Sequence, residues 1–278
     1  MKVRIRFLGT GAAEGIPAIG CTCAHCLRAA REDGRLVRRR SAILFELPGY
    51  TLLFDAPPDI REMLQAYNIQ HLDGIFLSHA HYDHVGGLRE FFPWPESLDL
   101  LVEPTVFKRL QQELPLRDEL RKHFSYIPLY PGTLVPFVHF TLTVFAVPHS
   151  VPCYGIMIQV NGQRILHLAD ADRVFSNYVA VLMRQADWVI VNTPSFHAEA
   201  TESHMSVMEA LNIKRRLGFK HLVLTHINHY NFPHDELEER VAGEEGVIVA
   251  YDGLELILED GGRWTRSYGH PDWSVTRP

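Results

Sequence analysis

One segment restricts this chain more than any other: His79-Ala-His-Tyr-Asp-His84, directly after the apolar run Gly74-Ile-Phe-Leu-Ser78. Three imidazoles and a carboxylate crowded against a buried strand would repel one another or go unpaired without a cation. The spacing suits metal ligation. His79 and His81 alternate in an extended turn and can reach one ion, while Asp83 and His84 open a helix and can reach a second. Gly86-Gly87 then lets the backbone turn tightly. The fold must therefore set the end of an apolar strand beneath a loop of nitrogen and oxygen donors, a ligand set that suits Zn²⁺ or Mn²⁺.

Around this segment, short β-rich runs alternate with helical ones. Val3 to Leu8, Ser41 to Leu47, Tyr50 to Phe54, Phe140 to Val147, Gly155 to Val160 and Arg164 to Leu168 read as strands. So do Trp188 to Asn192, Lys220 to Leu224, Val247 to Ala250 and Leu254 to Leu258. Helices are expected over Asp59 to Tyr67, around Pro104 to Gln112, over His204 to Leu217 and from Pro233. Two groups of strands with helices between them predict an α/β layered sandwich. No repeat or Pro/Gly/Ser linker divides the sequence, so residues 1–278 are expected to form one domain.

The His-x-His-x-Asp-His run after a buried strand resembles the signature of the metallo-β-lactamase superfamily, a four-layer αββα sandwich. Phe54-Asp55-Ala56, Val147-Pro-His149-Ser150, Leu168-Ala-Asp170 and Leu224-Thr-His226 match its other elements in order, each after a β run. The resemblance implies two catalytic divalent metals. His79, His81 and His149 would hold one, Asp83, His84 and His226 the other, with Asp170 between them and Asp55 orienting the loop. Such a pair lowers the pKa of a bound water and clamps the oxygens of a phosphoryl displacement.

Three of the four cysteines fall in Cys21-Thr-Cys23-Ala-His-Cys26. In a chain expected to be cytoplasmic this points to metal or redox chemistry more than to disulfides. One further ligand would close a structural zinc site, and His229, three residues after His226, is the candidate. A redox-sensing thiol cluster and inert buried cysteines are the alternatives. His25 reads as a bystander and Cys153 as a small buried apolar residue.

With Gly9-Thr-Gly-Ala-Ala-Glu-Gly-Ile-Pro17 and Thr225-His-Ile-Asn-His229, this knuckle resembles the phosphoribosyl 1,2-cyclic phosphate phosphodiesterase family of the carbon–phosphorus lyase pathway. Pyrroloquinoline-quinone biosynthesis proteins share the knuckle. The resemblance implies hydrolysis of a small cyclic phosphodiester. It also places His204 toward substrate, to bind the phosphate or protonate the leaving oxygen, with Asp83 as the competing proton donor and Ser203 as the alternative N-cap reading. A tRNA 3′-processing ribonuclease and a non-hydrolytic accessory protein are the rival functions, and relatives suggest a homodimer.

Arg38-Arg39-Arg40 reads as a solvated basic turn with phosphate contact as the alternative, and His197 and His234 fall in loops that could line a mouth. Pro57 departs from the family pattern, and the extra sequence at Arg109 to Tyr126 and after Gly262 could reshape the pocket. A formal net charge of −6 argues against stable nucleic-acid binding. No run approaches the roughly 18 apolar residues of a membrane span, so the expectation is a cytoplasmic chain with no membrane partner.

Overall fold

The computed structural model describes residues 2–113, 117–198 and 203–269. Eight strands form the first sheet: β1 (Val3–Gly9), β2 (Ala42–Leu47), β3 (Tyr50–Phe54), β4 (Gly74–Leu77), β5 (Leu98–Val102), β6 (Phe124–Pro128), β14 (Leu254–Leu258) and β15 (Trp264–Tyr268), in the order β15-β14-β1-β2-β3-β4-β5-β6. Seven form the second: β7 (Leu134–Pro136), β8 (Phe140–Val147), β9 (Cys153–Val160), β10 (Gln163–His167), β11 (Trp188–Asn192), β12 (His221–Thr225) and β13 (Val247–Val249), in the order β13-β12-β11-β10-β9-β8-β7. The helices are α1 (Ala24–Glu32), α2 (Ile60–Ala66), α3 (Tyr82–Val85), α4 (Pro104–Glu113), α5 (Arg117–His123), α6 (Asn177–Gln185), α7 (Val207–Leu217) and α8 (His234–Val241). Two sheets with helices make the αββα sandwich that the sequence suggests. No helix among the described residues is long and apolar enough to cross a membrane.

Each sheet is antiparallel on one side and parallel on the other, and the parallel side explains the unbroken apolar runs. β3, β4, β5 and β6 pair in parallel, as do β10, β11, β12 and β13. Every residue of β4 and of β11 is buried, as expected for strands covered on both faces. Contacts between the sheets close the core. Phe54 stacks on His167 at 4.1 Å, and Trp188 meets Trp264 edge-on at 5.0 Å.

The two extra stretches add edge strands. β6 ends the first sheet on one side and β15 on the other, and neither supplies a residue to the clustered ligands described below. Close backbone approaches position the loops around those ligands. A Cβ on Gly9 would stand 2.1 Å from the Arg40 carbonyl oxygen, and one on Gly87 would stand 2.1 Å from that of Pro57. Only glycine permits either approach.

The helix expected from His204 begins at Val207. Its N-cap is Ser206, whose side chain accepts from the Glu209 N–H while the Glu209 carboxylate accepts from the Ser206 N–H, a complete capping box. The Met205 N–H donates to the Ala171 carbonyl, which ties the preceding residues to the β10–α6 loop. Ser203 is therefore not the cap, and His204 lies outside the helix. Replacing Ser206 with alanine should cost about 1 kcal/mol, read as a lower denaturant midpoint with an unchanged slope.

Candidate metal centre

The sequence delivers its ligand-type side chains at strand ends. His79 and His81 follow β4 and lead into α3, which carries Asp83 and His84; His149 follows β8, Asp170 follows β10 and His226 follows β12. At three of these ends a non-glycine residue turns left-handed: Asp55 (φ 63°), Ala169 (φ 51°) and His226 (φ 58°). That conformation costs energy and persists only where the surroundings enforce it.

The side chains converge. His79, His81, His149 and Asp170 form one group, Asp83, His84 and His226 a second, and Asp170, His204 and His226 a third, with ligand atoms within 4.8 Å of one another in each. Asp170 Oδ2 is central. It lies 3.3 Å from His84 Nε2, 3.6 Å from His79 Nε2, 3.8 Å from His226 Nε2 and 3.9 Å from both His149 Nε2 and His204 Nδ1. Its other oxygen accepts from the Asn192 amide. Burial alone would raise this carboxyl, but the facing His226 and His84 imidazoles hold it well below the usual carboxylate range.

Partners behind the imidazoles settle which nitrogen faces inward. His84 Nδ1 donates to Asp55 Oδ2 at 2.7 Å, His79 Nδ1 meets Ser78 Oγ at 2.9 Å, His226 Nδ1 meets Ser41 Oγ at 3.1 Å and His149 Nδ1 donates to the Ser203 carbonyl at 3.2 Å. A proton held on Nδ1 leaves Nε2 as a lone pair. His81 presents Nδ1 instead, 3.0 Å from His79 Nε2 and 3.2 Å from His149 Nε2. Three nitrogen lone pairs aimed at one point have no mutual hydrogen bond to make. Their separations match the edge of about 3.3 Å that tetrahedral ligation at roughly 2.0 Å requires. The residues thus fit a divalent cation.

Asp55 supports this arrangement through both oxygens. Oδ1 accepts from the Ser78 N–H, and Oδ2 accepts from the Ser78 hydroxyl and from His84. An Asp55→Asn chain should hold its catalytic metals about 10–100-fold more weakly. Competition against a metal indicator checks this, and an unchanged affinity would show that Asp55 does not orient the loop.

The cysteine knuckle is likewise assembled. Cys21, Cys23, Cys26 and His229 place their ligand atoms within 4.8 Å of one another, with both Cys21 Sγ and Cys23 Sγ 3.6 Å from His229 Nδ1. Zinc ligation at about 2.3 Å to sulfur and 2.0 Å to nitrogen demands edges of roughly 3.5 to 3.8 Å. Cys23 caps α1, and the N–H of Cys26 with the neighbouring His229 lowers its thiol to about 6, against burial. Burial pushes Cys26 up to about 12.

The family model described as the beta-lactamase superfamily domain matches residues 50–227, which take in every clustered histidine and carboxylate of the centre. The chain belongs to the metallo-β-lactamase superfamily. Among curated relatives, an octanoyltransferase of Porphyromonas gingivalis is 27% identical over 94% of this chain, yet the chain spans only 52% of that protein's length. The coenzyme PQQ synthesis protein B of Methylococcus capsulatus is 26% identical, over 91% of this chain and 99% of its own. Among solved structures, a diphosphatase of the PhnP family superposes with a TM-score of 0.81 at 22% identity, covering 93% of this chain and 98% of its own.

Several side chains sit elsewhere than the sequence suggests for a superfamily member. Arg38 is no solvated basic residue: it is 1% exposed and donates to Thr10 Oγ1, to the Ala250 carbonyl and toward His234 Nδ1. Arg40 pairs with Asp59 at 2.7 Å. His234 is buried beside Arg38, so it lines no mouth. His197 is exposed, with its ring against Phe196. In line with the sequence, His25 is not among the clustered knuckle ligands and faces the Asn231 carbonyl, and Cys153 is buried. Reasoning from sequence missed Ser41, Ser78 and Asn192, the partners of His226, His79 and Asp170. Only Asn192 left a signal, as a polar end to the otherwise apolar run Trp188-Val-Ile-Val.

Proposed function

We propose that this chain is a metal-dependent phosphodiesterase acting on a small cyclic phosphodiester such as a ribosyl 1,2-cyclic phosphate. In this reading two divalent cations, Zn²⁺ or Mn²⁺, occupy the histidine centre and a structural zinc occupies the knuckle. The observation that carries it is Asp170 Oδ2, set within 3.3–3.9 Å of imidazoles from both ligand groups, as a bridging carboxylate must be. Bound cations would activate a water and neutralise phosphoryl oxygens at such a site.

The chain's own residues supply the remainder. Asp170 and Asn192 fix the centre, and the Ser41, Ser78, Asp55 and Ser203 contacts orient the imidazoles. His204 stands at the partly open rim, 3.9 Å from Asp170 and with its side chain 19% exposed, where it can donate an N–H to the leaving oxygen. Burial would raise the Asp83 carboxyl, but His84 beside it holds it well below the usual range. Asp83 is therefore ionised. Burial lowers His204 as well, so it is its place at the rim that favours His204 as the group facing the leaving oxygen.

Near-full-length similarity to the PQQ synthesis protein supports a second reading, a metal-bound accessory protein without turnover. Elemental analysis with bis(p-nitrophenyl) phosphate hydrolysis, before and after chelation, separates the two. About three metals per chain with chelator-sensitive turnover, followed by turnover of cyclic ribose phosphates, supports the phosphodiesterase. The same metals with no turnover of any phosphodiester favours the accessory protein.

A further inference from the structure

Among the hollows outside the metal centre, one is set apart by its arginines. It lies between α6 and α7, has a volume of about 460 Å³, and is lined by Arg173, Phe175, Asn177, Arg184, Arg216 and Leu217 among others. Three guanidinium groups thus bound a space partly floored by apolar side chains, and no carboxylate is among its lining residues. Arg173 is held loosely by Glu209 at 3.5 Å. Arg184 and Arg216 are exposed and have no hydrogen-bond or ion-pair partner among the described residues.

That concentration is unusual in a chain of net charge −6. Arg184 and Arg216 occupy the last turns of α6 and α7, where cations complement the helix dipoles. Dipole compensation accounts for their sign. It does not account for a third arginine, Arg173, in the segment before α6, nor for the apolar surface left in water beside it. Val174, one of the lining residues, is 71% exposed.

We propose that this groove binds a small phosphorylated molecule with an apolar or aromatic moiety, of the nucleoside diphosphate class. Arginine forks match phosphate oxygens in pairs, and several of them favour a multiply charged phosphate over a single carboxylate. The volume falls in the range of small-ligand sites, about 300–1,000 Å³. Phe175 and Leu217 offer apolar surface to the uncharged part. None of its lining residues belongs to the ligand clusters of the metal centre, so the proposal does not depend on the phosphodiesterase reading.

Calorimetric titration of the metal-loaded chain with ADP, pyrophosphate and adenosine tests this. Because phosphates also bind metals, the deciding comparison is with an Arg184→Gln/Arg216→Gln chain. ADP should bind that variant about tenfold or more weakly than the parent, and its affinity for the parent should fall as salt rises. Adenosine should bind far more weakly than ADP. Hydrolysis of bis(p-nitrophenyl) phosphate, or metal content if there is no turnover, should be the same in both chains, which shows the variant is folded. Equal ADP affinity in both chains would place the phosphate at the metals and overturn the proposal. Adenosine binding as tight as ADP, or no ADP binding at millimolar concentration, would also overturn it.

Discussion

Replacing Asp170 with asparagine should abolish turnover while leaving the fold intact. The substitution keeps the side chain's shape but removes the negative charge that faces five imidazoles at 3.3–3.9 Å. It also turns an amide N–H toward inward-facing nitrogens or toward the Asn192 amide that Asp170 now accepts from. With Asp83 as the one carboxylate left among the clustered ligands, the centre loses the anion that faces both groups, and the mutual repulsion of two cations is offset far less. Losing one metal forfeits several kcal/mol of transition-state stabilisation, a rate loss of roughly 10³-fold or more at 1.36 kcal/mol per decade. Elemental analysis should show at least one metal lost per chain. Asp172→Asn is the control, since that carboxylate lies two residues away and meets the Arg173 N–H and, at 3.9 Å, its guanidinium. If the Asp170 variant kept its metals and its turnover, the two-metal reading would fail.

What the sequence reveals about this centre follows from how it is built. His79, His81, Asp83 and His84 are legible because strand β4 and helix α3 meet within one short run, so spacing alone brings the groups together. His149, Asp170 and His226 come from three separate strand ends and become legible only through their resemblance to the superfamily pattern. Ser41 leaves no trace in sequence, because its contact with His226 spans 185 residues. Arg38 misleads for a related reason. A triple-arginine run looks solvated, yet alternation along an extended segment sends the first inward to Thr10 and His234 and the third to Asp59. Helix α6 escapes detection because Tyr178, Val179 and Val181 favour strands locally, and packing overrides that preference. Helix α1 hides behind the cysteines, with only His25, Cys26 and Ala29 buried along its length.

The second large effect is expected at the knuckle. A Cys26→Ser chain should lose one zinc and melt well below the parent, although Cys26 stands outside the histidine centre. The reason lies in what the four ligands join. Cys21, Cys23 and Cys26 belong to the N-terminal loop and α1, whereas His229 belongs to the loop that also carries His226. The same two loops are laced by backbone bonds from Ala12 N–H to the Ile227 carbonyl and from Ile227 N–H to that of Thr10. In the proposed reading a tetrahedral zinc would fasten this junction, and its loss should cost several kcal/mol, lowering the melting temperature by about 10 °C or more. Turnover should fall as well, through loosened placement of His226. The pH dependence has a definite sign. With the Cys23 thiol lowered to about 6, the ligating thiolate is present above that pH and is protonated below it. Zinc uptake by chelated protein should therefore weaken as pH falls through 6. If Cys26→Ser retained the full metal count and the parental melting temperature, the knuckle would be a thiol cluster without a structural ion.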